Sequence, residues 1–155
     1  MRRGASKSAA GLNSIVDKAR GLSFKDADDY SCMSMVEGVA TYFDTQGRVH
    51  RTSGPAIIRK NGTKKYYLHG DLHRIAGPAI VRADGTKLWY LNGKLHRTDG
   101  PARTDPDGTV MWYRHGSLSR EDGPAIIDHD RTESWYYNGQ LHRADGPAIC
   151  HEDGG

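Results

Sequence analysis

The chain has only two cysteines in 155 residues, Cys32 and Cys150, far apart in sequence. Neither metal-ligand nor redox spacing is present, which excludes a thiolate zinc framework and a scaffold of several disulfides. Free thiols in a reducing compartment are expected, and one disulfide between the two remains open. No run of 18 apolar residues occurs, which excludes a membrane-spanning helix, and the start Met-Arg-Arg-Gly-Ala-Ser-Lys lacks the apolar centre of a secretion signal. Phosphate-loop and dinucleotide-binding glycine patterns are missing, as is a serine in a nucleophile elbow. The expectation is therefore a protein that is not an enzyme and takes no cofactor or metal. Charge of one sign is also scarce: the formal +3 comes from 22 basic and 19 acidic residues. Residues 1–40 hold six basic and five acidic side chains and residues 41–155 hold sixteen and fourteen, so neither part is a strongly basic nucleic-acid binder.

What the chain does contain is a repeat. Arg-x-x-Gly-Pro-Ala recurs five times, with prolines at 55, 78, 101, 124 and 147, each 23 residues after the last. A fixed period of this size means stacked supersecondary units. Apolar content of 36% with 19 glycines suits a thin stack better than a thick core. Two turn signals divide each unit: Asn61-Gly62, Asp84-Gly85 and Asp107-Gly108 mark the first, and Asn92-Gly93 and Asn138-Gly139 the second, with His69-Gly70 and His115-Gly116 as variants. Such pairs tolerate the positive φ of a tight hairpin. Between them lie short β-branched and aromatic runs such as 86–91, too short and too glycine-bounded for helices. The prediction is a mainly β, elongated array of about five 23-residue antiparallel β-hairpin repeats, with two strands per unit and a proline opening a strand at each corner. Ten strands about 4.8 Å apart make an array of roughly 45–50 Å.

Columns stand out when the copies are aligned. Trp89, Trp112 and Trp135 fall in register with Tyr66, and Tyr67, Tyr90, Tyr113 and Tyr136 form a second column, with Leu95 in a third. A two-stranded unit is marginal alone, so these residues are expected to form the structural core shared by neighbouring repeats.

Residues 1–40 lack the repeat and are expected to form an N-terminal arm and cap, with the repeat domain at 41–155. Ser14 to Asp17 has capping-box spacing, and Leu12, Ile15, Val16 and Ala19 share one side of a short helix ending at Gly21. Phe24, Tyr30, Met33, Met35 and Val36 offer apolar groups to cover the first repeat. Arg2, Arg3 and Lys7 make a candidate basic arm.

The stretch Ala83-Asp84-Gly85-Thr86-Lys87-Leu88-Trp89-Tyr90-Leu91-Asn92-Gly93-Lys94-Leu95-His96-Arg97 resembles the MORN repeat family in period and turn placement, over residues 40–155. The wording His-Arg-x-Asp-Gly-Pro-Ala is similar to repeats in proteins of bacteriophages and large DNA viruses. The resemblance implies a rod of β-hairpins acting as scaffold or linker, and a virion or host-cell cytoplasm as its setting. The expected partners are proteins, including other chains of a larger assembly. Acidic lipid or nucleic acid, held by the basic N-terminus and the arginine row, is the alternative.

His50, His73, His96 and His142 recur at one position, with Ser119 in the fourth copy. Equivalent residues two strands apart lie roughly 9–10 Å from one another, too far to share a zinc ion bound at about 2.0–2.1 Å, so a structural hydrogen bond is expected. Arg51, Arg74, Arg97, Arg120 and Arg143 are expected to brace carbonyls or lie over aromatic rings. The invariant columns being explained by the fold, the variable column Arg59, Arg82, Asp105 and Asp128 is the candidate partner surface, positive at one end and negative at the other.

Overall fold

The computed structural model describes residues 31–152. Among these there is no helix; the predicted helix at 12–20 and the basic arm Arg2, Arg3 and Lys7 lie outside them. The described residues open with a hairpin of β1 (Cys32–Val36) and β2 (Val39–Phe43), turned by Glu37 and Gly38 at φ 48° and 76°. Each 23-residue unit then contributes four short strands rather than the two expected. The first unit gives β3 (Ile57–Arg59), β4 (Lys64–Lys65), β5 (Tyr67–Leu68) and β6 (Asp71–Leu72). The second gives β7 (Ile80–Val81), β8 (Lys87–Leu88), β9 (Tyr90–Leu91) and β10 (Lys94–Leu95). The third gives β11 (Arg103–Thr104), β12 (Val110–Met111), β13 (Tyr113–Arg114) and β14 (Ser117–Leu118). The fourth gives β15 (Ile126–Ile127), β16 (Glu133–Ser134), β17 (Tyr136–Tyr137) and β18 (Gln140–Leu141), and β19 (Ile149–Cys150) follows.

One antiparallel sheet of 11 strands runs the length of the array in the order β1-β2-β3-β4-β7-β8-β11-β12-β15-β16-β19. The pairs β5–β6, β9–β10, β13–β14 and β17–β18 form a second row of hairpins. The aromatic column is where the chain passes from one row to the other. The Tyr66 N–H donates to Ala79 O in the main sheet at 2.7 Å, while its carbonyl accepts from His73 N in its own small hairpin at 3.1 Å. Trp89, Trp112 and Trp135 repeat this division of donor and acceptor. A backbone whose two polar groups serve different ladders cannot stay in one flat strand, so the run 86–91 breaks at Trp89. The second row is stitched across units too: Gly93 N donates to Leu72 O, Gly116 N to Leu95 O and Gly139 N to Leu118 O, at 2.8–2.9 Å.

The first turn of each unit is locked by its own side chain. Asn61, Asp84, Asp107 and Asp130 each accept, through Oδ1, the N–H of the threonine two residues on, at 2.8–3.0 Å. Three of these turns place glycine at φ 88–97°, whereas the fourth forces Arg131 to φ 62°. Buried Thr63 and Thr109 then accept the N–H of Ala83 and His129 in the following turns, each at 3.2 Å.

Apart from His50, the largest fully buried side chain, the wholly covered positions are alanines. Ala56, Ala79, Ala102 and Ala125 of the Gly-Pro-Ala corners are 0% exposed, joined by Ile80, Leu88 and Thr86. The tryptophans are half-buried. Cys32 and Cys150 are free and occupy the two outermost strands of the long sheet, far beyond the ~7 Å reach of a disulfide between them.

Candidate interaction surface

The Arg-x-x-Gly-Pro-Ala corner is a built unit. Each arginine sets its guanidinium over the aromatic residue of its own repeat: Arg74 over Tyr66 at 3.9 Å, Arg97 over Trp89 at 4.3 Å, Arg120 over Trp112 at 4.2 Å and Arg143 over Trp135 at 4.0 Å from the ring centroid. Arg51 covers Tyr42 in the same way at 4.2 Å. The Nη1 atoms of Arg74, Arg97, Arg120 and Arg143 donate to the carbonyls of Pro78, Pro101, Pro124 and Pro147 at 3.2–3.4 Å. A Cβ on the motif glycine would stand 3.0 Å from Arg120 Cζ at Gly123 and 3.1 Å from Arg97 Cζ at Gly100. A Cβ there would press on a guanidinium held between ring and backbone, where cation–π attraction and carbonyl hydrogen bonds act together. The exposed Asp99 carboxylate accepts from Arg97 Nε at 2.9 Å; that bond, then its own backbone N–H and the arginine charge, lower its pKa. All five arginines thus engage a ring, Arg74, Arg97, Arg120 and Arg143 also a carbonyl, and Arg97, Arg120 and Arg143 the aspartate two residues on.

Between one corner and the next lies a groove. Arg74, Ile75, Trp89, Leu91 and Arg97 line one of about 490 Å³. Arg120, Glu121, Trp135, Tyr137 and Arg143, their counterparts two units on, line another of about 780 Å³. The frame is invariant and the rim is not. Ile75 is 91% exposed and shares the first groove with Leu91, and Tyr137, in the second, is 50% exposed. Sequence reasoning passed over Ile75, although the variable position directly after each invariant arginine carried the signal.

The column Arg59, Arg82, Asp105 and Asp128 occupies one level of the main sheet, at the start of each first turn. The N–H of each donates to the carbonyl of Thr63, Thr86, Thr109 and Thr132 respectively, at 2.9–3.0 Å. Arg59 and Arg82 are exposed, whereas Asp105 is engaged by Arg103 Nε at 2.8 Å.

The histidine column joins successive units. Nδ1 of His50, His73 and His96 accepts the N–H of His69, Asn92 and His115, at 2.9, 3.3 and 3.2 Å. Ser119 Oγ accepts from Asn138 N at 3.2 Å, so the hydroxyl does the work of the ring in the fourth copy. All four donors are the turn residues at φ 49–51° of the following unit. An acceptor at this point satisfies an N–H that no ladder reaches.

One group of donors could hold a metal ion by type: Asp44, His50 and His69, with donor atoms within 4.8 Å of one another. The spacing argument applies to equivalent histidines; here a turn histidine of the next unit stacks on His50 at 4.2 Å. Arg48 already supplies the cation. Its Nε lies 2.8 Å from Asp44 Oδ2 and its Nη2 3.0 Å from His69 Nδ1. Asp44 Oδ1 accepts from Gln46 N and Arg48 N, and His50 Nδ1 from His69 N. Burial pushes the Asp44 pKa up, but the Arg48 backbone and guanidinium bonds, with those from His69 and Gln46, outweigh it and hold the carboxyl well below the usual range. The cluster serves as a lock closing the 44–48 loop onto the next repeat.

No helix among the described residues is long and apolar enough to cross a membrane. No family model matches the sequence, and no curated protein matches it.

Proposed function

We propose that the protein is a non-enzymatic β-repeat rod that binds protein segments in the grooves between its corners, as a structural or adaptor component of a larger assembly, a virion among the candidates. The observation that carries this reading is the recurrence of one groove on a stiff arginine–aromatic frame, with apolar and variable side chains Ile75, Leu91 and Tyr137 at its rim. Interfaces are enriched in aromatic residues and arginine at their centres, and the variable rim supplies specificity from unit to unit. The resemblance to MORN repeats in period and turn placement supports a scaffold role. Acidic lipid or nucleic acid is disfavoured as the ligand of the arginine row, because those guanidinia are spent on rings and carbonyls of their own chain.

Selection from a random peptide display library tests the reading. Peptides enriched on the natural protein are expected to lose binding at least tenfold to the Ile75→Asp or Tyr137→Asp variant, each with unchanged far-ultraviolet circular dichroism. Peptides that bind both variants as tightly as the parent would refute the groove as the binding surface. Capture that weakens steeply with salt would favour the polyanion reading instead.

A further inference from the structure

Strand β4 lies between β3 and β7, and Lys65 pairs with Ile57 on one side and Ile80 on the other. Directly paired residues share a face, as do residues two apart. Arg59 therefore joins Lys65 through Ile57, and Arg82 joins it through Ile80. The two arginines sit one step along the strands from Lys65, on either side of the β4 line and about 10 Å apart. Side chains of that length converge readily across such a gap.

None of the three has an acidic partner within ion-pair distance among the described residues. The contrast is one repeat away: in the same trough Arg103 is neutralised by Asp105 at 2.8 Å. Lys65 is only half-exposed, and burial, followed by the charges of Arg59 and Arg82, pulls its pKa down. The half-buried phenol of Tyr67 stands beside the group, its pKa raised by burial against the opposing pull of Arg59. It keeps its proton at neutral pH as a further hydrogen-bond donor. Three like charges gathered without an ion-pair partner repel one another, the Asp84 carboxylate acting on Arg82 only from beyond ion-pair distance, and an anion seated among them relieves this.

We infer that Arg59, Lys65 and Arg82 form an oxyanion site for a phosphate group, either free or as a monoester. A dianion matches three cations better than a single carboxylate does, and each contact is a charge-assisted hydrogen bond. The site is independent of the corner grooves, whose lining includes none of the three residues.

The test is thermal unfolding of the full chain in sodium phosphate against sodium chloride at matched ionic strength, pH 7.5. Ligand that binds only the folded state raises Tm by mass action, about 3–6 °C at ten times Kd for a chain of this size. The parent protein is expected to show this rise, and Arg82→Gln and Lys65→Met to lose most of it. Arg114→Gln, with its guanidinium outside the trough, should keep it. Lys65→Met should also be more stable than the parent in chloride alone, since repulsion is removed while the apolar stem stays. Arg82 is exposed, so its variant folds even if the Lys65 variant does not. A parallel titration with inorganic phosphate and with glycerol 3-phosphate, followed by amide chemical shifts at residues 59, 65 and 82, assigns the source. Tighter binding of the ester places the group on a larger ligand, tighter binding of inorganic phosphate makes it a free ion, and either outcome supports the site. No phosphate-specific rise in the parent, or an equal rise in all variants, overturns it.

Discussion

Protonation of His96 should loosen the joint between the second and third repeats. His96 Nδ1 accepts the His115 N–H at 3.2 Å, and a protonated imidazole has no lone pair to accept with. Burial first, then His115 and Arg114 facing the ring from the next repeat, lower the His96 pKa below its ordinary 6.5. The folded state therefore binds fewer protons than the unfolded chain near and below that value. Stability contributed by this histidine is fully present above pH 6.5 and is lost as pH falls below it, with a slope of at most about 1.4 kcal/mol per pH unit. The acceptor itself is worth about 0.5–1.5 kcal/mol, since the donor is partly wetted. His96→Ser borrows the solution used at Ser119 and should keep the bond at neutral pH while removing its titration. His96→Ala should lose it, lowering Tm by about 2–4 °C per kcal/mol. The assay is urea unfolding followed by tryptophan fluorescence at pH 7.5 and 5.0. The midpoint of His96→Ser should fall less between the two pH values than that of the parent. Equal falls would refute the claim that this ring joins the repeats as a neutral acceptor.

Gly123→Ala places a Cβ 3.0 Å from Arg120 Cζ, so the guanidinium stacked on Trp112 has to give by a few tenths of an ångström; overpacking of this kind costs about 1 kcal/mol, read as a lower Tm with a changed near-ultraviolet signal. Arg131→Gly should stabilise by about 1 kcal/mol, because it removes a non-glycine residue from φ 62° at a turn where the other three units use glycine, and loses only an exposed ion pair with Glu152; an unchanged or lower Tm counts against strain at that turn. Asp44 is held below its ordinary 3.8, so its contribution is present above that pH and disappears as pH falls through and below it. Acid titration followed by the amide signals of Gln46 and Arg48 should show that loop opening, and Asp44→Asn should abolish the pH dependence of those signals.

Several features were open to reading from residues alone because they are local. Asn-Gly and Asp-Gly pairs carry their turn geometry within two residues, so the turns at 61–62, 84–85 and 107–108 could be placed before any contact was known, and the 23-residue spacing followed from copies compared with one another. Other features depend on residues that meet only when repeats stack. The break of each strand at its aromatic residue is invisible in a run such as 86–91, because it arises when the Trp89 N–H finds Ala102 and its carbonyl finds His96. The acceptor shared by His73, His96 and Ser119 is recognisable only once the turn 19 residues onward presents its N–H. The pairing of His50 with His69, and the gathering of Arg59 and Arg82 around Lys65, follow from strand register, which decides which members of successive repeats face one another. Period, turns and fold class are thus written in short-range backbone preference. Which polar groups are satisfied, and which charges stand unpaired, was decided by the pitch and register of the stack, since hydrogen bonds and repulsion act through space between neighbouring units.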